Sequence, residues 1–287
     1  MKLLRFGPKG HERPGMLDSA GRIRDLSAEV GDIDGRTLET ELPRLRALSP
    51  CALPLVDSAV RIGPAVAQVG KIVCVGLNYA DHAHETGQAV PAEPILFLKA
   101  TSSIVGPFDD IILPPGSQKG DWEVELGVVI GRPASYVSNE DALDHVAGVC
   151  VINDVSERSY QLERGGQWDK GKGCDTFCPL GPWLVTLDEA CDLGSLDLWC
   201  KVDGQTMQHG NTRTMIFDVA HLVHYTSQFM SLQPGDVIST GTPPGVGMSM
   251  KPPRWLREND IVELGIAGLG EQRQRVVRYR GSDQAST

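Results

Sequence analysis

Glu123 and Glu125 stand two residues apart in DWEVELGVVIG, a run whose alternation sets both carboxylates on one strand face and Val124 and Leu126 on the other. Two strand residues span about 6.6 Å, a separation from which two carboxylates can lean onto one cation. Flanked by Trp122, Val124 and Leu126, they repel each other and lose hydration unless a cation or an arginine compensates. The competing reading is an exposed acidic strand face. Asp154 ends a second apolar run, VCVIN, where the rim of a barrel or sandwich would set it beside the pair. Three carboxylates with water suit magnesium or manganese better than zinc, for which no convergent His or Cys set is visible.

His82 and Glu85 follow a buried-strand signal, IVCVG, at a spacing of three. In a helical turn the carboxylate can hold the imidazole in one tautomer and raise its basicity, as a general base requires; a surface or capping contact is the plainer alternative. Lys172 lies in DKGKGCDTF between two glycines and could stabilise a developing enolate or carboxylate. Lys170 is its rival, and a solvent lysine the ordinary reading. Arg158 and Gln161 follow Asp154 by four and seven residues, so one helical turn would line a pocket with all three and suit a carboxylate-bearing substrate. GTPPGVG offers the Thr242 hydroxyl but lacks the spacing of a nucleotide phosphate loop. His221 and His224 read as partly buried helix residues and not as ligands.

Short elements must position these groups. The chain has 287 residues with 41% hydrophobic and 22% charged residues, and its 32 glycines and 19 prolines imply many tight turns. Residues 1 to about 65 read as a small sheet-rich lead-in (KLLRFG, PGMLD, RIRDLS) with one short helix near Leu38–Leu48. Strand signals follow at ILFLKA, a hairpin-like IVGPFDDIILP, VCVIND, GPWLVT, VIST, DIVELGI and QRVVRYR. A hairpin turn is expected at Val202–Gln205. Ser138 and Asp141 predict a capped helix through Ala147 ended by Gly148, and apolar spacing predicts another from Thr214 to Met230. Strands outnumber helices without regular alternation, against a doubly wound sheet or an eight-fold barrel. The net charge of -10 without a basic run disfavours nucleic acid. No membrane span or signal peptide is read, and seven cysteines without a CxxC pair suit reduced thiols in a cytoplasmic protein. Cys174 and Cys178 give only a weak metal signal.

CVGLNYADHAHETG, DWEVELGVVIG, CVINDVSERSYQ, KGCDTFCPLGPWLVT and LQPGDVISTGTPPGVG, in this order, resemble the fumarylacetoacetate hydrolase superfamily. The resemblance implies a mainly β protein with a few helices: a mixed β-sandwich roll over 66–281, a small N-terminal α+β domain over 1–65 and a frayed tail at 282–287. It implies a homodimer acting on a small-molecule 2,4-diketo acid, with Mg2+ or Mn2+ held by Glu123, Glu125 and Asp154. The family's catalytic residues fall on His82, Glu85 and Lys172, its substrate contacts on Arg158, Gln161, Thr242 and Lys99, and a substrate lid on His82–Pro91. Within the superfamily the chain is most similar to 2,4-diketo-3-deoxy-L-fuconate or L-rhamnonate hydrolases, often labelled ureidoglycolate lyases. The implied reaction is carbon-carbon bond hydrolysis to pyruvate and, from the fuconate, L-lactate. Trp122 stands where many relatives carry histidine, and Glu157 and Ser159 also depart from the common pattern. Ureidoglycolate lyase, acylpyruvate hydrolase, oxaloacetate-type decarboxylase and isomerase activities all occur on this scaffold. From another class, a non-catalytic metal-stabilised structural protein remains open; a carbohydrate-binding module is less suited to five scattered tryptophans.

Overall fold

Val, Ile and Leu fill Val124–Ile130 and Val146–Asn153 with no polar alternation, the composition of strands covered on both faces. The computed structural model, which describes residues 1–85, 87, 89–190 and 192–281, pairs these two strands antiparallel near the middle of a ten-stranded mixed sheet. From one edge the path runs Ile23–Asp25, Arg13–Leu17, Lys2–Phe6, Cys178–Thr186, Val146–Asn153, Val124–Ile130, Val237–Ser239, Ile72–Gly76 and Ile95–Lys99. Ile104–Val105 pairs with Cys178–Thr186 off that path. A five-stranded sheet contains Gln205–Asn211, Asp197–Val202, Ile261–Ile266, Gly270–Arg278 and Ile111–Leu113.

Strand parity decides what covers each face of the large sheet. Leu126, Val128, Val149 and Val151 join one core with Leu198, Val262 and Leu264 of the five-stranded sheet. Val129, Cys150 and Ile152, of the opposite parity, join a second core with Leu38, Leu42 and Leu45. The latter come from two short helices, Gly35–Thr40 and Leu42–Arg46. The expected mainly β architecture with few helices is the one that forms.

Three local expectations are corrected. The Ile104–Pro114 segment is no hairpin: Ile104–Val105 runs parallel to Cys178–Thr186, whereas Ile111–Leu113 runs parallel to Gly270–Arg278 in the other sheet. Ser138 does hydrogen-bond Asp141, but the turn that follows is a 3-10 helix, Ala142–His145, and the strand starts at Val146. The β-branched run beyond His145 is worth more in the sheet than in a helix. The long helix expected over 214–230 is only Val219–Ser227, capped by Asp218. The Val202–Gln205 turn forms as expected, with Asp203 and Gly204 at φ 51 and 75. Among the described residues no helix is long and apolar enough to cross a membrane; the 282–287 tail lies outside them.

Ile72–Gly76 and Val237–Ser239 run parallel, so the segments leaving their C-terminal ends emerge side by side. Their starts are tied by Asp236, 1% exposed, which accepts from the backbone N–H of Lys71 (3.0 Å) and Gln233 (2.7 Å) and ion-pairs with the Lys71 ammonium. Asp236→Ala strands two donors and should cost about 2 kcal/mol or more. Thermal denaturation should record a fall in Tm of roughly 4–6 °C, and an unchanged Tm would show that the tie is dispensable.

Candidate active site

The pairing of the two central strands extends past its regular ladder: Asn153 lies opposite Val124, and the Asp154 N–H donates to the Glu123 carbonyl at 2.9 Å. Asp154 is thereby set across from Glu123, and Glu125 shares their face by the two-residue repeat. One oxygen from each of the three carboxylates lies within 4.8 Å of the others. Glu123 and Glu125 are 6% and 2% exposed, so the alternative of an exposed acidic face does not describe them.

Three cations compensate the cluster. Lys172 Nζ donates to Glu123 Oε2 and Asp154 Oδ2, both at 2.7 Å. Lys99 Nζ lies 2.6 Å from Asp154 Oδ1, and Arg158 Nη2 lies 2.7 Å from Glu123 Oε1 and 2.8 Å from Asp121 Oδ2. Burial alone would raise the Glu123 carboxyl; Lys172 and Arg158 outweigh it and hold it well below the usual range. The Lys172 ammonium, despite its burial, is pushed up to about 12 by Asp154 and Glu123. Glu125 differs. It accepts from Ser239 Oγ (2.6 Å) and the Gly241 N–H (2.9 Å), but no ion pair to it is found among the described residues. Burial, then Asp154 and Glu123, push its carboxyl up. Of the buried acids Asp121, Glu123, Glu125 and Asp154, Glu125 is the one with no ion pair among the described residues, so a divalent cation among the last three carboxylates would supply the positive charge that it lacks. The donor set therefore fits a hard, oxygen-seeking ion.

The imidazole stands on the helix Ala80–Glu85, which follows Leu77 at φ 54 and buried Asn78. The Asn78 side chain braces this turn by donating to the carbonyls of Thr240 (2.8 Å) and Phe217 (3.0 Å). His82 Nδ1 lies 3.2 Å from Glu85 Oε2, and Glu85 also accepts from the Gly245 N–H at 3.0 Å. Against the effect of burial, these partners hold the Glu85 carboxyl below its ordinary value. His82 lines the same pocket as Glu123, Glu125, Arg158, Gln161 and Lys172. Thr242 lines it too, though its hydroxyl donates to the Val124 carbonyl (3.0 Å) and accepts from Gln208 (2.7 Å). Arg158 Nη1 donates to Gln161 Oε1 at 3.0 Å. Two assignments are redrawn: Lys99 is no pocket arm but is 3% exposed behind Asp154, and Arg158 gives most of its donors to carboxylates of the protein itself. Lys170 points elsewhere, to the Arg164 carbonyl at 2.8 Å. Of the lid expected over His82–Pro91, positions 86 and 88 lie outside the described residues.

Asp121 escaped the sequence reading, although DWEVE carries carboxylates at 121, 123 and 125 with the same two-residue repeat. It pairs with Arg158 and accepts from the N–H groups of Gly247 (2.7 Å) and Met248 (3.1 Å). Trp122 is wholly buried in the core and donates Nε1–H to the Gly245 carbonyl at 3.1 Å, so it braces the 241–248 segment from behind. Phe97 and Trp168, which do line the pocket, had no local signal.

Residues 71–277 match the family model described as fumarylacetoacetate (FAA) hydrolase, C-terminal. The chain belongs to the fumarylacetoacetate hydrolase family. It is 63% identical over 276 residues, 96% of this chain and 98% of the relative, to a provisionally named hydrolase of Burkholderia multivorans. The fumarylacetoacetate hydrolase of psychrophilic Exiguobacterium antarcticum superposes with a TM-score of 0.85 at 36% identity, covering 97% of this chain and 100% of that one. The maleylpyruvate hydrolase of Sphingobium sp. SYK-6, in complex with manganese (II) ion and pyruvate, gives 0.81 at 30% identity, covering 98% and 100%. In this member of the family, Glu125→Gln should reduce Mn2+ affinity at least about tenfold by calorimetry. The metal-free variant should be no less stable than the parent, because a buried amide replaces a carboxylate without a cationic partner. Unchanged Mn2+ affinity would remove Glu125 from the ligand set.

Proposed function

We propose that this chain hydrolyses the C3–C4 bond of a 2,4-dioxo acid, releasing pyruvate and a second carboxylic acid. The observation that carries the reading is His82, held by Glu85, lining the same pocket as Glu123 and Glu125, beside which Asp154 completes the carboxylate cluster. An Mg2+ or Mn2+ ion held by Glu123, Glu125 and Asp154 would act as Lewis acid toward the 1-carboxylate and 2-oxo oxygens. Manganese and pyruvate accompany the related maleylpyruvate hydrolase, which supports this choice of ion and product.

The protein's own groups supply the remainder. Glu85, steadied by the Gly245 N–H, keeps a proton on His82 Nδ1, so Nε2 takes a proton from water. The hydroxide adds to the C4 carbonyl carbon. The C3–C4 bond then breaks with its electron pair passing to the pyruvyl fragment, leaving a carboxylic acid and pyruvate enolate. Lys172, held charged by its carboxylate partners, balances the growing negative charge. The proton taken by His82 completes pyruvate at C3, so water is divided between the two products. Gln161 and the remaining Arg158 donor orient the substrate carboxylate. Among 2,4-dioxo acids, the sequence resemblance favours 2,4-diketo-3-deoxy-L-fuconate, with L-lactate as the second product.

A Mn2+-supplemented panel of acetylpyruvate, maleylpyruvate and 2,4-diketo-3-deoxy sugar acids tests the reading by equimolar release of pyruvate and acid. Consumption of substrate without pyruvate would replace hydrolysis by isomerisation. His82→Ala should keep Mn2+ binding and fold while kcat falls roughly 10² or more; an unchanged kcat would place the imidazole outside the chemistry. Lys172→Met should lower kcat far more than it raises KM, whereas Lys170→Met, at an exposed lysine turned away, should change neither. Equal losses at both positions would point to loop damage in place of a positioned ammonium.

A further inference from the structure

Beside Glu123, Glu125 and Lys172, part of the pocket wall is aromatic. There Phe97 and Trp168 meet edge to face, with centroids 5.4 Å apart and planes at 68°. The indole rests directly on the backbone of Gly76, where an added Cβ would come within 2.5 Å of Trp168 Cζ3. Phe97 in turn has the Lys172 ammonium 5.4 Å from its ring centre. Both rings also line a second cavity at the free edge of the large sheet, with Ile95, Leu96, Leu98 and Met230. The aromatic pair is thus a partition, with the carboxylate cluster on one side and, on the other, a groove whose floor is aliphatic and whose rim carries Gln167 and Asp169.

We propose that Trp168 determines substrate specificity by ending the pocket behind the acyl group, admitting short acyl chains and excluding longer ones from the aliphatic groove. The inference rests on the hydrolase reading above and deepens it. The wall is held by the backbone: Trp168 immediately precedes the helix Asp169–Lys172, and Asp169 Oδ1 accepts from the Leu98 N–H of the edge strand at 3.1 Å. The helix that presents Lys172 to the carboxylates therefore also fixes the indole, and Gly76 leaves the room that the ring occupies. Selection here is by shape: the aliphatic side chains of Ile95, Leu96, Leu98 and Met230 offer a longer chain burial, and the Asp169 oxygen is engaged by the Leu98 N–H.

The test compares hydrolysis of acetylpyruvate and hexanoylpyruvate by the Mn2+-loaded parent, Trp168→Leu and Trp168→Ala. The ratio of kcat/KM for the longer over the shorter substrate should rise at least about tenfold in Trp168→Ala and by less in Trp168→Leu, since each newly buried methylene is worth about fourfold at most. Adding Leu98→Glu to Trp168→Ala should cancel the gain by charging the groove. A ratio unchanged by either Trp168 substitution overturns the proposal, as does a gain that survives Leu98→Glu. Trp168→Leu keeps the test available should Trp168→Ala fail to fold. If the parent cleaves neither substrate, the hydrolase reading is decided by the wider panel above and calorimetry decides the partition. Tighter binding of 2-oxooctanoate relative to pyruvate, by about tenfold in Trp168→Ala, upholds it, and equal changes for both ligands overturn it.

Discussion

Four carboxylates and three cations share a buried space at one end of the large sheet, and the surrounding structure is arranged to pair three of the acids and to hold the fourth, Glu125, by a hydroxyl and a backbone N–H. Removing any one cation would leave an uncompensated buried charge, among the costlier defects a fold can carry. The lysines come from two elements, Lys99 from the edge strand and Lys172 from a one-turn helix, and both converge on Asp154. Arg158 joins Asp121 to Glu123. The polar end of the site is therefore pre-set before substrate arrives, which is the condition under which electrostatic stabilisation acts without reorganisation.

The remainder of the sheet makes such a cluster sustainable. Covered on one face by the five-stranded sheet and on the other by the N-terminal helices, its central strands are buried up to the end where Glu125 meets the pocket. Strand parity then decides the chemistry: the face that holds Val129 and Ile152 becomes, a few residues on, the face that holds Glu125 and Asp154. A one-residue slip between the central strands would turn the acids into the opposite core.

Much of this was legible because strand chemistry is local. WEVELGVVIG states both its period and its exception in ten letters, and His82 with Glu85 needs only one helical turn. The capping pattern at Ser138 was equally local and misled, since the valines after His145 are claimed by neighbouring strands. What stayed hidden depends on distant contacts: Lys99 looked like a pocket arm until the register of the edge strand set it behind Asp154. Phe97 and Trp168 are 71 positions apart by their numbers, and nothing in either neighbourhood announces that they meet. Asp121 could have been read from its two-residue spacing to Glu123, but its partners, Arg158 and the 247–248 backbone, are assembled only by the fold.

The segment from Gly241 to Met248 holds three acidic side chains through its main chain: Glu125 by the Gly241 N–H, Glu85 by that of Gly245, and Asp121 by those of Gly247 and Met248. Main-chain donors are indifferent to most side chains but not to spacing. At Gly245, with φ 103 and a would-be Cβ 2.0 Å from the Met207 carbonyl oxygen, even the side chain is forbidden. The loop thus works as a ruler whose rungs are peptide groups. What the contacts require above all is the count of residues, because one inserted or deleted position would put the imidazole's carboxylate and the acids of the cluster out of step with each other.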